Sequence, residues 1–162
     1  MIFVTVGTNE ARFDRLLHAV AALQVDEPVL VQHGHSSPIG PAHAELVDFL
    51  TFETIVDAIR HARVVVTHAG VGSVLVSLSN GKRPVVVPRL QRHEEAVDDH
   101  QLQLGRRFAD AGLVTLVEEP AALGAALAAE QKAAAVLPSA RALAGELRRY
   151  FESVVPPVSA GA

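Results

Sequence analysis

The chain has no cysteine, no tryptophan and one tyrosine among its 162 residues, and only 4% of them are aromatic. Without cysteine there is no disulfide scaffold, no thiolate zinc site and no thiol nucleophile. The chain also lacks a basic block: its net charge is −4 and its pI about 6.0. That excludes a nucleic-acid binder held by phosphate contacts. No apolar run approaches the ~18 residues of a membrane helix. The first residues, Met1-Ile2-Phe3-Val4-Thr5, place no basic segment ahead of an apolar one, so no signal peptide is expected. A Gly-x-Ser-x-Gly elbow is missing, which argues against a self-contained serine hydrolase. The reading is a soluble, cytoplasmic domain.

What is abundant is alanine and valine, 26 and 24 residues, within a hydrophobic total of 49%. Valine suits strands buried on both faces, and alanine suits close helix packing. The length fits one domain, typically ~100–200 residues, and leaves no room for a second domain to close over a ligand. A mean hydropathy of +0.27 is high for such a domain, and any excess at the surface would mark a docking face.

Short Val/Ile/Leu runs alternate with helical patterns. The runs predict strands near Ile2–Val6, Val29–Gln32, Leu46–Leu50, Val64–Thr67, Val85–Pro88 and Val114–Val117. Helices are expected over Arg12–Leu23, Thr54–Ala62, Gly72–Asn80, Asp98–Ala111 and Ala121–Glu130, with a last one over Ser139–Ser153. The stretch His33–Ala44 reads as a loop, and residues 154–162 as a disordered tail after a single domain of residues 1–153. The alternation predicts an α/β fold, one Rossmann-like, doubly wound parallel sheet of about six strands. Right-handed crossovers favour the order 3-2-1-4-5-6, with a ligand crevice outside the carboxyl ends of strands one and four.

Three segments should line that crevice. Gly7-Thr8-Asn9 follows strand one, and His68-Ala69-Gly70-Val71-Gly72-Ser73 follows strand four. Both pass from strand to helix through glycines and hydroxyls, so two helix N-termini could hold a diphosphate without a metal. Tight turns alone would also account for the glycines. Leu75 stands where a dinucleotide fingerprint needs its third glycine, and Gly81-Lys82-Arg83 is not a P-loop. The third segment, Pro88 to Gln101, is the most polar of the chain. Its arginines could meet phosphate and its carboxylates, His and Gln could meet sugar hydroxyls. Asp98 with Gln101 also has the pattern of a helix capping box.

These motifs together resemble a known family. His68-Ala69-Gly70-x-Gly72-Ser73-x-Leu75, Gly81-Lys82, Val85-Val86-Val87-Pro88-Arg89 and Asp98-Asp99-His100-Gln101 resemble the C-terminal, donor-binding domain of family-28 glycosyltransferases. The opening Val4-Thr5-Val6-Gly7-Thr8, followed by Phe13-Asp14-Arg15-Leu16, is similar to the stand-alone version of that domain, the small subunit of two-chain transferases. The resemblance runs from Met1 to about Val117. It implies half of a GT-B glycosyltransferase, binding a UDP-sugar as substrate and needing no metal or other cofactor.

Carried over position by position, the resemblance implies diphosphate contacts at Gly7, Thr8, Asn9, His68, Ala69, Gly70, Gly72, Ser73 and Arg89. It implies uracil recognition at Phe52 and sugar contacts at Glu95, Asp99, His100 and Gln101. The catalytic base is not identified by it; His68 and Asp99 are weak candidates. A glutamate that holds the ribose in a related peptidoglycan enzyme is matched here by Val76. His33, His35 and His43 form a sparse histidine cluster that fits no expected metal. The partner implied is a membrane-anchored subunit that binds a lipid-linked saccharide acceptor and holds this chain at the inner face of the membrane. The competing expectation is a non-catalytic accessory subunit that stabilises or regulates a partner transferase.

Overall fold

The computed structural model describes residues 1–132 and residue 145. The helix expected over Ser139–Ser153 and the tail from 154 lie outside the described residues, residue 145 apart.

Six parallel strands form one sheet: β1 (Ile2–Thr5), β2 (Val29–Gln32), β3 (Glu45–Val47), β4 (Val64–His68), β5 (Val85–Val87) and β6 (Thr115–Leu116). Their order is β3-β2-β1-β4-β5-β6, as the crossover rule predicts. The register pairs Val4 with Val31 on one side and with Val66 on the other, so β1 lies at the centre with all four residues buried. Among the described residues five α-helices of a turn or more are seen: α1 (Asp14–Ala21), α2 (Phe52–His61), α3 (Val71–Ser79), α4 (His100–Asp110) and α5 (Leu123–Lys132).

The pleat sends alternate valines to opposite layers. Ile2, Val4, Val66, Val85 and Val87 pack against Phe13, Leu16 and Leu17 around α1, and against Leu123 and Leu127 of α5. Phe3 and Val65 face Ala58 and Ile59 of α2, while Val86 joins Val74 of α3 and Leu104 and Phe108 of α4. The buried valines, leucines and phenylalanines of the described residues thus form two core layers, one on each face of the sheet. Among the described residues the large exposed hydrophobics are Leu46, Phe49, Phe52 and Val97.

Most elements differ from expectation by one or two residues at an end, as α1, α4, α5 and β6 do, and two differences have a visible cause. The third strand ends at Val47 instead of Leu50, because Asp48 turns the chain: its carbonyl accepts from Gly34 N, and its Oδ1 accepts from Phe49 N. Helix α2 starts at Phe52, two residues early, because Thr51 caps it by accepting from Thr54 N. The loop His33–Ala44 carries no helix, as expected. It buttresses α1 instead, with Ser36 Oγ accepting from Phe13 N at 2.8 Å and Ser37 N donating to Asp14. His33 Nδ1 sits on the carbonyls of Gly34 and Ser36, and His35 packs edge-on against Phe49.

Candidate functional site

A parallel sheet delivers all its strand ends to one side, so the loops after β1, β4 and β5 meet there. They enclose two adjoining cavities that share Asn9. The first, about 520 Å³, lies over β1 and β4 and is lined by Gly7, Thr8, Asn9, His68, Gly72 and Ser73 at one end. At the other end it reaches Phe52, Ile55 and Val76. The second, about 530 Å³, lies against the β5–α4 loop and is lined by Gln91, Glu94, Asp98 and Gln101 among others.

The glycines of the first cavity have different reasons to be there. The His68 imidazole lies between two of them. A Cβ on Gly7 would stand 2.6 Å from His68 Cε1, and one on Gly70 would stand 2.3 Å from His68 Nε2. Gly7 also has φ +77°, in the left-handed region. Gly72 is unlike either: a Cβ there would meet nothing within 4 Å. No contact within the protein requires glycine at this place. It sits in the first turn of α3, whose N-cap, Gly70, supplies no side-chain hydrogen bond. The free amides of that turn therefore open on the cavity, at the positive end of the helix dipole.

His68 is neutral at ordinary pH. Burial pushes its imidazole down to about 4, and the Arg89 cation beneath adds repulsion. Its Nδ1 lies 3.3 Å from Thr67 Oγ1. It can offer a diphosphate one N–H but no positive charge.

The structure relocates several of the expected site residues. Arg89 is wholly buried, and its guanidinium donates to the carbonyls of Val6 at 2.9 Å, Ala11 at 2.7 Å and Glu95 at 3.2 Å, over the Phe13 ring. It braces the first loop from below and does not face the crevice. Glu95, 3% exposed, accepts two hydrogen bonds from Arg15 at 2.9 Å and one from Leu90 N. These bonds hold its carboxylate within the wall, against α1. Ala69 packs into the core with Val74 and Leu104. Asp99 lines neither cavity; its Oδ1 accepts from Gln91 N. His100 is exposed, with Nδ1 2.8 Å from Asp98. Gln101 remains at the second cavity, and its Oε1 accepts from Arg89 N at 3.2 Å. The capping-box alternative does not form, since Asp98 accepts from His100 N.

Sequence reasoning missed Gln91 and Glu94, which line the second cavity. Glu94 has φ 57°, the one positive value outside glycine among the described residues, and such strain collects at functional sites. Arg89 had a legible signal. The alternation Val85, Val87, Arg89 continues one face of β5, the face toward Phe13.

A doubly wound parallel sheet with an uncapped, glycine-lined helix N-terminus at its switch point is a Rossmann-like α/β domain. The particular family follows from comparison. The glycosyltransferase family 28 C-terminal domain matches residues 1–146, and the chain belongs to that family. It is 32% identical over 119 residues to the human UDP-N-acetylglucosamine transferase subunit ALG13, covering 66% of this chain and 10% of that protein. In fold it is similar to the calicheamicin glycosyltransferase CalG4, with a TM-score of 0.62 at 21% identity, over 96% of this chain and 43% of that one. It is similar also to the glycosyltransferase of kitacinnamycin, with a TM-score of 0.61 at 22% identity, over 92% and 39%. The chain thus spans about a tenth of its curated relative and less than half of these enzymes.

Proposed function

We propose that the chain is the donor-binding part of an inverting glycosyltransferase, holding a UDP-sugar for transfer to a lipid-linked acceptor bound by a second, membrane-anchored chain. The observation that carries the reading is Gly72, a glycine facing open space in the first turn of an uncapped helix at the switch point. Such a turn receives an anion whose oxygens approach the backbone closely. Family membership and the human relative, itself a UDP-N-acetylglucosamine transferase subunit, support a nucleoside diphosphate sugar as the anion's source.

In the mechanism the diphosphate lies on the α3 amides, the nucleoside enters the cavity toward Phe52, and the sugar extends past Asn9 to Gln101. An acceptor hydroxyl attacks the anomeric carbon, its proton passes to a base, and the bond from carbon to the β-phosphate oxygen breaks with inversion. The charge left on UDP is stabilised by the fixed amides and dipole of α3, the usual electrostatic contribution. No metal is needed for this, and none of the first cavity's lining residues is an Asp or Glu that would hold one. The base is supplied by the partner. Asp99 lines neither cavity and its Oδ1 accepts from Gln91 N, and His68 is a weak base on the phosphate side.

Among the described residues no helix is long and apolar enough to cross a membrane. The acceptor side would therefore bring the chain to the inner face of the membrane. The exposed Phe49, Phe52 and Val97 line the two cavities, where a second chain would close over the donor. Calorimetric titration of the chain with UDP, ADP and GDP tests the reading. UDP is expected to bind at least tenfold tighter than the purine nucleotides; equal affinity for the three would sink it.

A further inference from the structure

With the diphosphate on the first turn of α3, the nucleoside must occupy the rest of the 520 Å³ cavity. That part is walled by Leu50, Phe52, Ile55, Ile59 and Val76. Among the described residues no Asp, Glu, Lys or Arg lines it. Thr8, Asn9 and Ser73 belong to the diphosphate end, and the polar side chains beside the apolar wall, Gln32, Thr5 and Ser77, are already engaged. Gln32 stands at the end of β2, where dinucleotide-binding sheets place an acidic residue on the ribose 2′-hydroxyl. Here the Gln32 amide donates to Gly7 O at 3.1 Å and Asp48 O at 2.9 Å, its Oε1 accepts from the Thr5 hydroxyl, and it is 2% exposed. Thr5 also accepts from Gly7 N, and the Ser77 hydroxyl donates to Ser73 O at 2.8 Å. Both residues are buried. Val76, between Ser73 and the end of α3, presents an aliphatic surface to the same space.

We infer that this site does not read the ribose 2′-hydroxyl, so that its donor class includes 2′-deoxynucleoside diphosphate sugars as well as ribonucleotide ones. The inference rests on the nucleotide-binding reading above. A site whose buried polar groups bond a substrate hydroxyl rejects the analogue lacking it by ~10⁴–10⁵, because those groups are left unpaired. Along this wall Gln32, Thr5 and Ser77 keep their partners whether or not the 2′-hydroxyl is present. The loss is then at most that of one solvent-compensated hydrogen bond, roughly a few-fold.

The test is titration of the full chain with UDP and dUDP, which differ by one oxygen. Affinities within tenfold of each other are expected. A preference for UDP above tenfold would overturn the inference while leaving the nucleotide reading intact, and binding of neither would overturn both. A second arm uses Val76→Glu, which places a carboxylate on this wall. The ratio of UDP to dUDP affinity is expected to rise at least tenfold in the variant, whatever the change in absolute affinity. An unchanged ratio would put the ribose elsewhere and overturn the inference.

Discussion

The two cavities that meet at Asn9 are nearly equal in volume and opposite in construction. The one over β1 and β4 is made by omission: glycines at 7, 70 and 72, an uncapped helix start, and walls without charge. The one beside β5 is made by a polar loop fastened with buried charge, Arg89 on the carbonyls of Val6, Ala11, Arg12 and Glu95, and Glu95 on Arg15. Charged residues of the motif therefore build the second wall, while small residues of the motif leave the first open to a ligand. A conspicuous arginine in a nucleotide-binding chain need not be the one that meets phosphate.

The sharpest way to break this division is to exchange the expected outcomes of Arg89 and Gly72. Arg89→Met strands the carbonyls of Val6 and Ala11 and leaves Glu95 with one cation fewer nearby. Removing one member of a buried charged network costs about 3–5 kcal/mol. At this chain length that lowers Tm by roughly 10 °C or more. Gly72→Ala meets open space and should change stability by less than about 1 kcal/mol, yet its methyl group fills the place left for the anion and weakens UDP binding. Thermal unfolding and calorimetry on both variants check this. If Arg89→Met kept its Tm but lost UDP affinity, the arginine would be a phosphate ligand after all.

Much of this was legible before the fold. The strand order, the switch point and both glycine loops follow from valine runs and strand-to-helix glycines, which depend on local sequence. The direction of a side chain does not. For Arg89 the alternation from Val85 and Val87 marks the inward face toward Phe13, but Glu95 reads as a polar position in a polar loop, and only the packing of α1 against β5 turns it onto Arg15. Glu94, its neighbour, is the one left at the cavity, through a left-handed backbone no local pattern announces. The glycine loops hid a second cause too. Gly7 and Gly70 clear space for the His68 ring, so their reason is partly internal, and only Gly72 is free of it.

His68 gives the first wall a pH signature. Its folded pKa of about 4 lies below the ordinary 6.5. The unfolded chain therefore takes up the proton first, and stability falls as pH drops from 6.5 toward 4. The loss between pH 6.5 and 5 is about 2 kcal/mol from this one group. Glu27 and Glu118, whose pKa values are held down by Arg63 and Arg106, contribute only below about pH 4.5. Urea unfolding at pH 6.5 and 5.0 should show the loss in the native chain, and a markedly smaller one in His68→Gln. The same slope in both would mean that the ring takes a proton where it lies.

The smallest effect concerns Gln101, in the second cavity. Because its Oε1 must accept from the Arg89 amide, its NH₂ group is the end available to a sugar hydroxyl. Gln101→Ala loses both roles. The loss of the Arg89 contact weakens UDP and UDP-sugar alike, since it loosens the loop beneath the diphosphate end. The loss of the sugar contact falls on UDP-sugar alone, and one hydrogen bond of this kind is worth about 1 kcal/mol, roughly fivefold in affinity. Calorimetry with UDP and with UDP-N-acetylglucosamine on the native chain and the variant separates the two. A fivefold larger loss for the sugar nucleotide places Gln101 at the sugar. Equal losses would make it, like Arg89 and Glu95, part of the wall.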